Sequence, residues 1–211
     1  MMNILILGGF GKLGQEVYRE LAPLPEVNVT LFGRKHADAK PVTAANVFYG
    51  DATKVEDLVS ALAGIDIVFS TLGPFEVEKY AVPLIEAMNE AGVGRLYWST
   101  QFQIARPEVT QDMLDLAATF GFSEEVERNY VENQKLGASL IESSNLSYTL
   151  LLCHFFKYDD SVQKAIIEPS SQVIDGGPIS VRSLAVTLSQ LFQNPDDYRR
   201  AGVMISAMEE R

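Results

Sequence analysis

The sequence predicts an α/β fold, a doubly wound parallel sheet in a three-layer α/β/α arrangement, and three observations carry that reading. Apolar runs of strand length alternate with amphipathic stretches of helix length along most of the chain. The first run, Ile4 to Leu7, passes into Gly8-Gly9-Phe10-Gly11-Lys12-Leu13-Gly14 and then into a helical pattern, the order strand, glycine turn, helix start. At 211 residues, with no internal repeat, low-complexity tract or linker, the chain has the length of one domain with a sizeable core.

Strands are expected at Asn3 to Leu7, Val27 to Phe32, Asn46 to Tyr49, Asp66 to Ser70, Arg95 to Ser99, Tyr148 to Cys153 and Val203 to Ala207. Helices are expected after the glycine turn, where Leu13, Val17 and Leu21 recur at intervals of four, and at Val55 to Leu62, Val82 to Ala91 (closed by Gly92), Tyr130 to Ser143 and Val181 to Phe192. Such alternation calls for a parallel sheet with helices on both faces. Residues 101–129 break the rhythm: few strand signals and a charged Glu124-Glu125-Val126-Glu127-Arg128 segment, read either as an insertion or lid beside the site or as a solvated helix.

Composition excludes several roles. Lys and Arg number 17 against 28 Asp and Glu, a net charge of −11, so the surface repels nucleic acid and acidic membranes. No run approaches the roughly 20 apolar residues of a membrane span and no signal-peptide pattern is seen, so a cytoplasmic protein is expected. The single cysteine, Cys153, sits in an apolar run and reads as a buried thiol.

The spacing Gly8-x-x-Gly11-x-x-Gly14 suits a dinucleotide pyrophosphate. The first glycine allows a tight exit from the strand, the second lets backbone approach phosphate, and the third lets helix and strand pack closely. The first helical turn then offers bare N–H groups and the positive end of the helix dipole to an anion. In open sheets of this kind ligands sit at the carboxyl ends of the strands. That places the cofactor contacts on Gly8, Gly9, Phe10, Gly11, Lys12, Leu13 and Gly14, on Arg34 and Lys35, on Asp51 and Ala52, and on Thr71, Leu72 and Gly73.

An NAD-selective site carries an acid at the end of the second strand to hold the ribose 2′-hydroxyl. Here Phe32 and Gly33 are followed by Arg34 and Lys35, which suit a 2′-phosphate, with Lys12 as a third charge. One charge-assisted hydrogen bond is worth roughly 1.5–3 kcal/mol, so NADP(H) is expected to be preferred over NAD(H). Asp51 is placed either to accept from the adenine amino group or as a simple turn residue. Phe75, Phe102, His154, Phe155 and Phe156, with Gln101 at the end of the fifth strand, are candidates for a substrate pocket, two or three of the five rings facing the substrate.

Other chemistries find little footing. Cys153 and His154 are adjacent in a predicted strand, pointing to opposite faces, and the other histidine is His36, so no metal site is expected. No Gly-x-Ser-x-Gly elbow is present. Asp159-Asp160 and Glu124, Glu125 and Glu127 read as solvated loop and helix faces rather than acid/base pairs.

The glycine loop, Gly50-Asp51-Ala52, Gly92-Val93-Gly94-Arg95-Leu96 and Ser144-Asn145-Leu146-Ser147-Tyr148-Thr149 resemble the atypical short-chain dehydrogenase/reductase family. Within it they resemble the small NmrA-like branch of NADH-flavin reductases and sugar epimerases. The resemblance covers nearly the whole chain and implies an NADP(H)-binding Rossmann fold, with residues 1–150 as cofactor core and 151–211 as a small C-terminal substrate or partner region. It also implies a catalytic Tyr followed four residues later by a Lys whose charge lowers the tyrosine pKa. At the family spacing that pair falls on Tyr130 and Gln134, and the serine of the trio on Ser99. The lysine is absent, and Lys135 points about 100° away around the helix. Relatives carry Arg-Pro after Tyr-Thr-x-x, where this chain has Leu152-Cys153.

The first expectation is therefore an NADPH-dependent oxidoreductase passing hydride to a planar acceptor: a flavin, a quinone or a conjugated carbonyl. Such acceptors tolerate the missing lysine, because they take hydride onto a delocalised ring and a proton from water. A non-catalytic NADP(H) sensor of NmrA type with a protein partner comes second, and a sugar epimerase or dehydratase third. A monomer or homodimer is expected.

Overall fold

The computed structural model describes residues 1–35, 46–106, 108–171 and 176–208; His36 lies outside them. The chain runs β1 (Met2–Leu7), α1 (Lys12–Leu21), β2 (Val27–Gly33), β3 (Asn46–Tyr49), α2 (Val55–Ala61), β4 (Ile67–Ser70), α3 (Glu78–Ala91) and β5 (Arg95–Gln101). A 3₁₀ turn (Phe102–Ala105) follows, then α4 (Gln111–Thr119), α5 (Glu124–Ser143), β6 (Ser147–Cys153), β7 (Phe156–Lys157), β8 (Ala165–Pro169), β9 (Ile179–Ser180), α6 (Val181–Gln193) and β10 (Ala201–Ala207).

Eight strands form one sheet in the order β3-β2-β1-β4-β5-β6-β10-β8, parallel except that β8 pairs antiparallel with β10. The order reverses between β1 and β4, so the C-terminal ends of these two strands open the crevice in which such sheets hold ligands. Central strands such as Ile4–Leu7 and Ile67–Ser70 are buried throughout, because helices cover both faces. Alternate residues feed two cores. Leu5, Leu7, Val68, Leu96 and Trp98 pack with α2, α3 and α5. Ile4, Ile6, Ile67, Phe69 and Tyr97 pack with α1 and α6.

The predicted strands are present, and the corrections lie in the segments without a clear period. The helix read from Tyr130 begins at Glu124: Ser123 Oγ accepts from Val126 N at 3.3 Å, and Glu124, Glu125 and Glu127 sit in the first turn, where the helix dipole favours acids. The helix read from Val82 begins at Glu78 and continues through Pro83. Strand β8 went unread because Ala-Ile-Ile-Glu-Pro is a half-buried edge with no alternation, and β7 and β9 are two-residue pairings too short to show a period. Residues 101–129 contain the end of β5, the 3₁₀ turn, α4 and the start of α5.

Phe192 ties α6 to the sheet: fully buried, its ring lies 4.7 Å from Tyr97 and 5.3 Å from Phe69, centroid to centroid. Phe192→Ala is expected to cost about 3–5 kcal/mol, read as a lower denaturant midpoint at an unchanged slope.

Candidate active site

The glycine loop leaves β1 with Gly8 at φ 79°, a conformation that a β-carbon resists. Gly11 N donates to Gly8 O at 2.9 Å, and Gly9 N donates to Phe32 O at 3.1 Å, which fixes the loop to β2. A β-carbon on Gly14 would stand 2.6 Å from Gly8 O, so the helix approaches the loop this closely only with hydrogen at that position. A β-carbon on Gly11 would meet nothing nearer than Gly8 O at 3.2 Å. α1 has neither an N-cap side-chain bond nor an acid in its first turn, so its leading N–H groups are left for a ligand. These features fit a dinucleotide pyrophosphate on Gly11, Lys12 and Leu13.

A cavity of about 570 Å³ starts on Gly8, Gly11, Lys12 and Leu13 and runs over the C-terminal ends of β4, β5 and β6. Thr71, Leu72 and Gly73 form one side, with the Thr71 methyl against Gly8. Arg34 and Lys35 follow β2, exposed, with the Lys35 ammonium 6.0 Å from the Tyr49 ring centre. Phe10 covers Gly33 and lies 5.8 Å from Tyr49, an apolar patch beside the two cations. Lys12 reaches the other way, its Nζ 4.1 Å above the Tyr158 ring.

Asp51 forms a turn: its Oδ1 accepts from Thr53 N at 3.0 Å and from Thr53 Oγ1 at 2.8 Å, and these bonds hold its carboxyl below the usual range. Ala52 is buried against the core on the α2 side.

The three residues matched to the catalytic trio all reach the cavity. Ser99 lies beside the Cys153 thiol, which burial pushes up to about 12. Tyr130 meets Phe75 edge-on at 5.7 Å, and burial, then the nearby Glu127 charge, holds its phenol above the ordinary value. Gln134 is buried; its Oε1 accepts from Thr100 Oγ1 at 2.9 Å and its Nε2 donates to Pro74 O at 2.8 Å. Its amide therefore ties α5 to β5 and to the loop after β4.

Phe75, Gln101, His154, Phe155 and Phe156 line the acceptor end, whereas Phe102 is buried behind His154, stacked on it at 4.3 Å. Strand β6 ends at Cys153, so His154 lies just beyond it rather than within it. His154 Nδ1 accepts from Phe155 N at 2.7 Å, which puts the ring proton on Nε2. Burial, assisted by Lys157, lowers this imidazole to about 4.

Among the wall residues that sequence reasoning missed are Phe120, Phe122 and Tyr158. The Phe120-Gly121-Phe122 turn, with Gly121 at φ 85° between two helices, was a legible signal. Glu127 is a correction: read as part of a solvated face, it is 0% exposed, because it points inward from α5 to the side-chain amides of Gln101 and Gln103. Among the described residues no three His, Cys, Asp or Glu side chains come together as metal ligands, and no helix is long and apolar enough to cross a membrane.

Comparison with known proteins gives one family and a set of similar folds. A family model described as NAD(P)H-binding matches residues 8–195. An isoflavone reductase homolog of Zea mays is 31% identical over 110 residues, which is 47% of this chain. The match takes in only 35% of that longer protein. A Rossmann-fold NAD(P)-binding family protein from Shigella flexneri superposes with a TM-score of 0.75 at 23% identity, covering 100% of this chain and 98% of its own. A short-chain dehydrogenase/reductase from Veillonella parvula in complex with NADP gives 0.81 at 16% identity, covering 97% and 94%. An anaerobillin reductase from Escherichia coli gives 0.76 at 19%, covering 100% and 99%.

His154 is lowered, so the unfolded chain binds its proton first. Stability is complete above pH 6.5 and is lost as pH falls toward about 4. Between pH 7 and 5 this contributes a loss of about 2 kcal/mol. Urea denaturation at the two pH values checks it, and His154→Gln is expected to remove that part of the difference.

Proposed function

The chain belongs to the NAD(P)H-binding family whose model it matches over residues 8–195, and from this premise we propose that it is an NADPH-dependent oxidoreductase acting on a planar acceptor. The observation that carries the proposal is the single cavity joining the glycine loop to an aromatic wall. A dinucleotide held on Gly8 and Gly11 would have Ser99, Tyr130 and His154 further along the same cavity for its nicotinamide half, with Phe75 and Phe155 also on the wall. The bound cofactor supplies hydride. The chain supplies position, a dry wall and a neutral Nε2–H donor on His154 toward an acceptor oxygen or nitrogen.

The Tyr130 phenol stands above its ordinary value with no lysine to lower it, so it is not a base at neutral pH. This supports a reaction in which hydride goes to a delocalised ring and solvent provides the proton. The names of two comparison proteins, an isoflavone reductase homolog and an anaerobillin reductase, are consistent with reduction of a conjugated ring system.

Arg34 and Lys35, beside the Phe10 and Tyr49 rings, support NADP(H) over NAD(H), the rings offering an adenine platform and the cations a 2′-phosphate partner. A second reading, an NADP(H)-binding regulator that docks a protein, draws support from the exposed rim of the cavity, where Phe75 and Phe122 are each 37% exposed and Tyr158 is 66%.

NADPH at about 100 times its Kd is expected to stabilise the fold by about 2.7 kcal/mol, read as a thermal shift, and Arg34→Ala is expected to weaken NADPH binding about ten- to a hundredfold with little effect on NADH. A larger shift with NADH in the wild type would overturn the nucleotide assignment.

Steady NADPH oxidation with added riboflavin is the expected activity, and Tyr130→Phe is expected to lower it less than about tenfold. A thousandfold loss would make Tyr130 the acid. Tight NADPH binding with no turnover across flavins, quinones and enones would favour the regulator.

A further inference from the structure

His154 carries a polar atom that the fold fixes in place and then leaves without a partner. The backbone on either side of its side chain is pinned: His154 N donates to Ile205 O at 2.9 Å, and Ile179 N donates to Phe155 O at 3.0 Å. The imidazole lies flat on Phe102, 4.3 Å between ring centres at 9°, and Phe155 meets it edge-on at 5.7 Å. Its Nδ1 accepts from Phe155 N at 2.7 Å, and turning the ring over would break that bond and leave the amide N–H unpaired. The tautomer and the direction of the ring both follow from this contact.

The residue is 5% exposed and borders the cavity. Its Nε2 has no hydrogen-bond partner among the described residues, yet it is not one of the enclosed polar atoms. A neutral imidazole whose Nδ1 already accepts has one thing left to give, the Nε2 proton, and it cannot accept at that nitrogen. The buried amides that reach the cavity are committed to protein partners: Gln134 to Thr100 and Pro74 O, and Gln101 to Glu127. Phe155, which holds the imidazole, is itself stacked on Phe120 at 4.8 Å, so the donor is set in an aromatic wall.

We propose that His154 is a specificity-determining residue whose Nε2–H donates to a carbonyl oxygen at the edge of a flat conjugated ligand, so that the site selects quinone-like and enone-like rings over rings without that oxygen. This deepens the reductase reading and rests on it only in calling the ligand the hydride acceptor. On that reading hydride adds to a ring carbon conjugated with the carbonyl, the displaced π pair settles on the oxygen, and water supplies the proton. The oxygen gains charge as the reaction proceeds, and a donor already held in place strengthens its bond to it without reorganising. A ligand with no acceptor at that edge leaves a buried N–H unpaired, and sites built to bond a ligand's polar atom discriminate against the analogue without it.

The test compares anthraquinone-2-sulfonate with anthracene-2-sulfonate, which has the same three fused rings and the same charge but lacks the two carbonyl oxygens. Both are titrated calorimetrically into the full chain with saturating NADP⁺. The quinone is expected to bind at least tenfold more tightly, although the anthracene is the more apolar of the two. His154→Phe, which keeps an aromatic ring on Phe102 and removes the donor, is expected to reduce the preference to threefold or less. Tyr130→Phe is expected to leave it within threefold of the wild type.

Equal affinities or tighter binding of the anthracene in the wild type, no binding of either ring, or an undiminished preference in His154→Phe would each overturn the proposal. So would a preference lost in Tyr130→Phe, which would assign the donor to the phenol. The wild-type comparison needs no variant, so a variant that fails to fold does not shield the idea. NADPH oxidation is followed separately. A retained preference with no turnover of the quinone or of riboflavin would overturn the reductase reading alone, and turnover with equal affinities would overturn this inference alone.

Discussion

The cavity depends on one side chain, Gln134, and on the two bonds that its amide makes. By accepting from Thr100 and donating to Pro74 O, it holds the middle of α5 against the end of β5 and the turn after β4. Gly137, one turn further along, would place a β-carbon 2.7 Å from the Val77 side chain, so α5 packs closely on the residue that caps α3. Those contacts set where Tyr130, one turn back along α5, enters the site. A lysine at this position has donors only and could not accept from Thr100. The glutamine at this position thus fixes the frame around Tyr130 through both ends of its amide.

Three of the side chains that reach the cavity on this frame are kept neutral. Cys153 is pushed up to about 12, His154 is lowered to about 4, and Tyr130 is held above its ordinary value, each chiefly by desolvation. All three are therefore uncharged at neutral pH, and the fold supplies them with no partner charge that would reverse this. A reaction run through ionised side chains is poorly served by such walls. Transfer of hydride between two stacked rings is well served, since low dielectric and excluded water favour it without asking any side chain to change charge.

The fold was legible because its signals are periodic: four-residue spacing in α1, unbroken apolar runs in β1 and β4, and glycines where β-carbons would collide. Gly8 and Gly14 could be read from spacing alone, since the backbone there dictates the residue. Glu127 could not. Nothing in Glu-Glu-Val-Glu-Arg distinguishes the acid that faces inward from those that face water; that depends on which side of α5 the sheet lies, and on amide donors more than 20 residues earlier in the chain. The identity of the cofactor end is written in local sequence, whereas the acceptor end is assembled from β5, the 3₁₀ turn, α5 and the segment after β6. Tyr158 escaped for the same reason.

Lys12 shows how the two ends divide. Its place in the glycine loop suggests a contribution to phosphate binding along with Arg34 and Lys35, yet its ammonium rests on Tyr158, beyond β7. A cation over an aromatic face gains about 0.5–1 kcal/mol at an exposed site, too little to compete with a bound phosphate but enough to bias an exposed side chain without one. The contact links the first turn of α1 to the C-terminal segment that forms the far wall.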